Sequence, residues 1–173
     1  IDKYVIYNYQ EQVWYYGNLE RTYWLDRGVN DFPVAASTDG YLYNQEFGLN
    51  DGSTTPPTAI TSYIESSQLS IGDGEDFVFL SRLIPDITFA ASTSTAPTVN
   101  MTFQTRNAPG GQYLQSNVSG VTETATTPVE QFTEQAFIRL RGRAFALKVD
   151  SSTLDTQWRL GTTRVDVRPD GRR

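Results

Sequence analysis

The chain contains no cysteine and no histidine among its 173 residues. Disulfides, zinc sites built on Cys or His, and catalysis by a Ser-His-Asp or Cys-His arrangement are therefore excluded. It also lacks any run of about 18 apolar residues, so the sequence predicts no transmembrane helix. The first residue is Ile1 rather than Met, and no signal peptide is visible in the sequence. We therefore expect a fragment or a processed product.

Positive charge is scarce over most of the chain. Residues 1–129 hold 5 Lys and Arg against 14 Asp and Glu, whereas residues 130–173 hold 9 against 6, which gives net charges of −9 and +3. An acidic body argues against general coating of nucleic acid, because that activity needs a strongly basic surface. The uneven distribution is compatible with head-to-tail association between copies of the chain.

Helical periodicity is missing as well, and strand signals dominate. Segments rich in Tyr, Phe, Val, Ile and Thr alternate with turns rich in Gly, Asn, Asp and Pro, a pattern typical of an all-β fold. Residues 4–9 and 13–16 are predicted strands joined by a turn at residues 10–12. Asp39-Gly40 predicts a further hairpin. Pro85 is expected to separate two strands.

One polar stretch, residues 48–59, is rich in Gly and Pro and marks a domain boundary. We therefore expect a first β segment at residues 1–57 and a second domain at residues 58–173. The dense strands of the first segment match the size of a propeller blade, which predicts propeller-like N-terminal strands. The second domain has seven or so predicted strands with frequent turns, which indicates a β-sandwich or a barrel-like platform.

The second domain also allows more local predictions. The spacing from Ile64 to Leu69 breaks a period of two, which suggests a β-bulge near Ser66-Ser67. Residues 112–130 are polar and Thr-rich and are expected to form a weak edge strand and a loop. The predicted core consists of Ile64, Phe77, Phe79, Ile87, Met101, Phe103, Ile138, Leu140, Phe145, Leu147 and Trp158.

Acidic residues provide two candidate chemistries, both weak. The turn that contains Asp73, Glu75 and Asp76 could hold Ca²⁺ through carboxylate oxygens, but it lacks EF-hand spacing and is better interpreted as a plain turn. A glycosidase would need a pair of carboxylates. Its candidates are Glu65, Glu130 and Glu134, for which solvated carboxylates on strands are the favoured interpretation. We expect no catalytic residues, no metal and no cofactor.

Arginine recurs with a spacing of two at Arg139, Arg141 and Arg143. On one strand these side chains would share a face, with Ile138 and Leu140 on the other. Such a row can contact phosphates, a neighbouring subunit's carboxylates, or acidic residues of the next strand. We expect protein contact rather than DNA contact, within the subunit or with acidic turns such as Asp73, Glu75 and Asp76 of a neighbour.

Aromatic residues cluster near the N-terminus, at Trp14, Tyr15, Tyr16, Tyr23 and Trp24. They could form a sugar-binding platform, but alternation places Trp14 and Tyr16 on the face opposite Tyr15. Core packing of a strand pair is the expected role.

Four segments together resemble a known family. They are YVIYNYQEQVWYYGNLERTYWLDRG, YIESSQLSIGDGEDFVFLSRLIPDITF, TEQAFIRLRGRAFALKV and WRLGTTRVDVRPDGRR. Together they are similar to the C-terminal portion of the tail nozzle, or tail hub and DNA-stabilisation, structural proteins of short-tailed bacteriophages. The similarity covers most of the chain, and none of the segments is a catalytic motif.

The resemblance implies a non-enzymatic virion protein in the phage tail, assembled in the cytoplasm of the bacterial host. Copies would form a ring below the portal and adaptor proteins, close the tail channel and guide DNA at ejection, without membrane insertion. The alternative is a carbohydrate-binding β-sandwich module of a secreted or phage-borne hydrolase, which the aromatic content and acidic pI support. A ring component should oligomerise, whereas a carbohydrate-binding module should bind glycans as a monomer.

Overall fold

The computed structural model describes residues 2–71, 74–108 and 123–171. Those residues form 17 strands and no helix, so the predicted all-β class is confirmed. Among them there is consequently no helix of the length and apolarity needed to cross a membrane. The chain divides into two compact units, Ile1–Gly48 and Leu49–Arg173, which we call unit 1 and unit 2. This division lies earlier in the chain than the boundary expected after residue 57.

Unit 1 contains a two-stranded ribbon and a three-stranded antiparallel sheet. Its strands are β1 (Lys3–Asn8), β2 (Val13–Asn18), β3 (Tyr23–Leu25), β4 (Val34–Ala36) and β5 (Leu42–Asn44). The predicted turn at residues 10–12 joins β1 to β2, and the predicted Asp39-Gly40 hairpin joins β4 to β5. Of residues 2–48, only Pro33 and Ala35 are buried. The likeness of these strands to part of a propeller stays a prediction.

Unit 2 contains the remaining strands. They are β6 (Asn50–Asp51), β7 (Thr58–Ala59), β8 (Ser62–Glu65), β9 (Leu69–Ser70), β10 (Val78–Ile84), β11 (Ile87–Thr88), β12 (Thr98–Arg106), β13 (Thr124–Glu130), β14 (Ala136–Gly142), β15 (Ala144–Ser151), β16 (Arg159–Leu160) and β17 (Arg164–Pro169). Pro85 separates β10 from β11 as predicted. Most of the Gly- and Pro-rich stretch belongs to unit 2, where the Asn50 side-chain amide donates a 2.6 Å hydrogen bond to the Asp155 carboxylate.

Two antiparallel sheets of unit 2 pack face to face as a β-sandwich. The smaller sheet has the strand order β14-β10-β17, and the larger has the order β13-β12-β15-β8, with β9 also paired to β15. Inward side chains of both sheets form one hydrophobic cluster. Among the described residues, neither sheet closes on itself. Of the two predicted architectures, the structure therefore shows the β-sandwich and not the barrel.

The core of the sandwich follows from alternation along its strands. On β12, Val99, Met101, Phe103 and Thr105 are buried, and the residues between them are only partly so. Of the predicted core, Met101, Phe103, Ile138, Leu140 and Phe145 are buried, and Ile87, Leu147 and Trp158 pack against them while partly buried. Eight of the eleven predicted residues therefore belong to the core or pack against it, whereas eight of the thirteen buried members of the cluster were not predicted.

Three core predictions were wrong. Ile64 is 52% exposed because β8 is an edge strand, and the inner face of an edge strand has fewer neighbours to cover it. Phe77 and Phe79 are only half-buried, and Val78 and Leu80 are the buried residues instead. All four positions are apolar, so the alternation could not determine which pair points inward.

The structure contains the predicted β-bulge and the described part of the predicted edge strand. Glu65 lies opposite Lys148 but Leu69 opposite Phe145, so one extra residue lies between them, which is the bulge predicted near Ser66-Ser67. Of the expected weak edge strand and loop at residues 112–130, the described part is edge strand β13, and residues 112–122 lie outside the described residues.

Candidate functional site

The outer side of the sheet β14-β10-β17 carries five arginines, which we call the arginine face. They are Arg82, Arg139, Arg141, Arg164 and Arg168. On β14, Ile138 and Leu140 are buried in the core, so the alternating residues Arg139 and Arg141 point outward.

Strand register places the other arginines on the same side. Phe79 lies directly opposite Arg141 on one neighbour and Arg168 on the other. Directly opposed residues of antiparallel strands project to one face. Arg82 lies opposite Asp166, and Arg164 opposite Ile84. Arginines from all three strands are thus brought together on one surface.

Two of these arginines form ion pairs within the face. The Arg82 guanidinium lies 2.7 Å from the Asp166 carboxylate, and the Arg141 guanidinium contacts the Asp170 carboxylate. The side chains are between 38% and 47% exposed, so each pair contributes at most about 1 kcal/mol to stability. The pairs orient the two arginines rather than determine the fold.

Phe77 forms a cation–π contact with two arginines at one end of the face. The Arg141 and Arg143 guanidinium carbons lie 3.9 Å and 4.7 Å from the centre of its ring. Backbone hydrogen bonds to Gly171 (2.7 Å) and Asp170 (2.8 Å) fix Phe77 in place. Arg141 and Arg143 therefore have attractive contacts within their own chain.

The three arginines of the predicted row do not all lie on one strand. Arg139 and Arg141 share β14, but that strand ends at Gly142. Arg143 lies where the chain crosses from the small sheet to the large one, because β14 and β15 belong to different sheets. Its guanidinium lies over the Phe77 ring, as does that of Arg141.

Three arginines of the face, Arg139, Arg164 and Arg168, form no side-chain ion pair within the described part of the chain. Arg139, Arg164 and Arg168 are exposed, and the outward Phe137 is 76% exposed. Arg164 and Arg168 were not among the residues predicted from the sequence, although their spacing around Asp166 repeats the period of two seen on β14.

The acidic turn adjoins the arginine face in the same chain. Glu75 and Asp76 are exposed and immediately precede Phe77. Asp73, the third acidic candidate, lies outside the described residues. No group of three or more acidic side chains within the described residues is arranged to hold a metal ion.

The carboxylates considered for glycoside hydrolysis do not all come together. Glu65 and Glu130 lie on β8 and β13, the two opposite edges of the larger sheet. Three strand spacings separate them, roughly 14 Å. Catalytic carboxyl pairs in glycosidases lie roughly 5–9.5 Å apart, so these two residues do not form such a pair. Glu134 is exposed in the loop before β14.

The N-terminal aromatic residues are exposed, which corrects their expected role in a core. Trp14 and Tyr16 are 66% and 80% exposed on one face of the ribbon β1–β2, which we call the aromatic hairpin. Tyr7 lies opposite Trp14, with ring centres 4.6 Å apart. The other face carries Ile6 and Tyr15, which are also exposed. Both faces of the hairpin are therefore apolar and uncovered in this chain.

Unit 1 also contains a local polar cluster around Tyr43. The Tyr43 hydroxyl donates a 2.6 Å hydrogen bond to the Asp39 carboxylate, whose other oxygen accepts one from the Tyr41 backbone N–H at 3.0 Å. The Tyr43 bond is the main cause that lowers the pKa of Asp39 and raises the pKa of Tyr43. The Arg21 guanidinium lies 4.8 Å from the Tyr43 ring centre.

In comparisons with known proteins, the chain matches no family model and no curated protein.

Proposed function

We propose that this chain is a non-enzymatic structural protein of a bacteriophage tail, part of an oligomeric nozzle or hub ring. The ring closes the tail channel and guides DNA at ejection, with portal, adaptor and other tail proteins as neighbours. The resemblance of four sequence segments to that family suggests this role. The physical support comes from surfaces that the chain leaves uncovered.

The aromatic hairpin is the observation that carries the proposal. Its faces expose Val5 (69%), Trp14 (66%) and Tyr16 (80%) on one side and Ile6 (54%) on the other. A two-stranded ribbon is marginal in water, and strands that are apolar on both faces are typical of layers covered on both sides. Contact with other subunits in an assembly would cover these surfaces.

Charge supports the same role. The chain carries a net charge of −6, and five of its 14 basic residues lie on one sheet face. A predominantly acidic ring would not hold DNA phosphates tightly, because bound phosphates require clusters of cations. DNA could then pass through the channel without adhering to it.

Mass measurement and imaging test the proposal. We expect light scattering of the purified chain to give a multiple of 19.4 kDa, and negative-stain images to show rings. An antibody against the chain should label the tail end of particles of the phage that encodes it. Purified particles that lack the chain by mass spectrometry would contradict the proposal.

The exposed aromatic hairpin also supports a second candidate, a carbohydrate-binding module. Trp14 and Tyr16 lie two residues apart on one exposed face, an arrangement on which sugar rings can stack. This candidate requires a monomer that binds oligosaccharides in calorimetry, with binding lost in Trp14→Ala. A chain that oligomerises and releases no heat with glycans would exclude it.

A further inference from the structure

We propose that the arginine face binds an acidic surface of a second copy of this chain. This inference rests on the proposed ring, since it identifies the surface through which copies associate. It concerns Arg139, Arg164 and Arg168, which form no ion pair with any described residue, together with the exposed ring of Phe137.

The distribution of charge supports this partner. The face combines five arginines with Asp166 and Asp170, a net of +3, while the whole chain has a net charge of −6. Every copy therefore presents one basic surface and a remainder with a net charge of −9. Contact between two different patches is heterologous, which is the geometry that closes into rings.

The ion pairs within the face show which charges are available for a partner. Asp166 already pairs with Arg82, and Asp170 with Arg141. The remaining three arginines lie on the two outer strands of the sheet, Arg139 on β14 and the other two on β17. A partner that supplied carboxylates along both strands could pair with all three.

Phe137 supplies an apolar contact in the same surface. It lies opposite Arg82 on the outer side of β14 and is 76% exposed. Aromatic and arginine side chains are enriched in protein interfaces, and a few of them usually dominate the binding energy.

Paired charge reversals test the proposal in the intact chain. The face variant is Arg164→Glu and Arg168→Glu. The control variant is Arg27→Glu and Arg159→Glu, which changes the net charge equally at exposed residues outside both the arginine face and the aromatic hairpin. Circular dichroism and thermal unfolding should show that both variants fold, because none of the four residues forms a side-chain ion pair with the described residues.

We expect sedimentation to show weaker self-association of the face variant, on the order of 100-fold in dissociation constant, with the control variant close to the native chain. Phe137→Ala should weaken association by roughly tenfold. Added salt should weaken association of the native chain more than that of the face variant, because it screens the charges that the variant has lost.

The outcomes separate this inference from the proposed function. If both variants self-associate as strongly as the native chain, the arginine face is not the surface through which copies associate. The proposed ring would then be unaffected. A native chain that remains monomeric would contradict the ring itself. A third outcome is that the native chain binds a short DNA duplex at about 0.15 M salt and that the face variant alone loses this binding. That result would show that the arginine face binds nucleic acid and not a second copy.

Discussion

Unit 1 and unit 2 are built from the same kinds of strand but bury very different amounts of their surface. In unit 2, thirteen buried hydrophobic residues form one cluster between two sheets. In unit 1, only Pro33 and Ala35 are buried among residues 2–48. Strand propensity alone therefore does not produce a stable module, because a sheet also needs a second layer to cover its apolar face.

Separating the two units should give the largest effect. We expect residues 49–173 alone to unfold cooperatively, because their core is complete within that segment. We expect residues 1–48 alone to be unfolded, since they have no disulfide and almost no buried apolar surface. Thermal unfolding followed by circular dichroism measures the first expectation, and the dispersion of amide signals in NMR spectra measures the second. A well-dispersed spectrum for residues 1–48 would show that the contrast between the units is wrong.

Two leucine substitutions compare a buried residue of unit 2 with an exposed residue of unit 1. Leu80 in unit 2 is 1% exposed, and Leu42 in unit 1 is 73% exposed. Leu80→Ala should lower the free energy of unfolding by about 2–5 kcal/mol, because it removes buried methyl groups and leaves a cavity. Leu42→Ala should cost less than about 0.5 kcal/mol. Chemical denaturation measures both changes, and equal losses would contradict the assignment of the core.

A pair of glycine substitutions tests packing rather than burial. A Cβ on Gly142 would lie 2.9 Å from the Thr105 Cβ, and Thr105 is fully buried with its hydroxyl bonded to the Glu123 backbone carbonyl at 2.9 Å. Gly142→Ala should therefore destabilise unit 2 by about 1–3 kcal/mol.

Gly28 in unit 1 is the matched control, because a Cβ there would meet no atom within 4 Å. Gly28→Ala should change stability by less than about 0.5 kcal/mol. A Gly142→Ala protein as stable as the native chain in thermal unfolding would show that Thr105 can move away without cost.

The sequence predicted structure best where polar and apolar residues alternate. On β12 the alternation identified Met101 and Phe103 as core, and both are buried. Where alternation was absent, at Phe77 to Leu80, the direction of the side chains could not be predicted. The prediction that the aromatic residues of unit 1 are buried was wrong for another reason. Their hydrophobicity predicted burial, but only the tertiary arrangement determines whether another layer covers them.

The candidate site was predictable in part. The spacing of Arg139 and Arg141 predicted a shared face, and β14 provides it. The contribution of Arg164 and Arg168 depends on β17 pairing with β10, a contact between residues about 85 positions apart in sequence. Such long-range pairing does not follow from local patterns. Arg143 departs from the row because the chain changes sheets after Gly142, which the even spacing does not reveal.

The smallest expected effect is a change of pKa in the polar cluster of unit 1, which consists of exposed hydrogen bonds. The Tyr43 hydroxyl bonds the ionised Asp39 carboxylate, which lowers the pKa of Asp39 and raises the pKa of Tyr43. Because the pKa of Asp39 is lower in the folded chain, its stabilisation is present above the unfolded value of about 3.9 and is lost as pH falls through the folded value. Because the pKa of Tyr43 is higher in the folded chain, its stabilisation is present below about 10 and is lost as pH rises through the folded value.

Tyr43→Phe should therefore raise the pKa of Asp39 towards its ordinary value, measured by NMR titration of the carboxyl carbon. Tyr41→Phe is the control, because the bond from Tyr41 to Asp39 comes from its backbone N–H and survives the substitution. Neither change should alter the unfolding of unit 2, whose core contains neither residue. An Asp39 pKa that is the same in the native chain and in Tyr43→Phe would show that the hydroxyl bond does not persist in solution. Unit 1 would then lack even this local stabilisation.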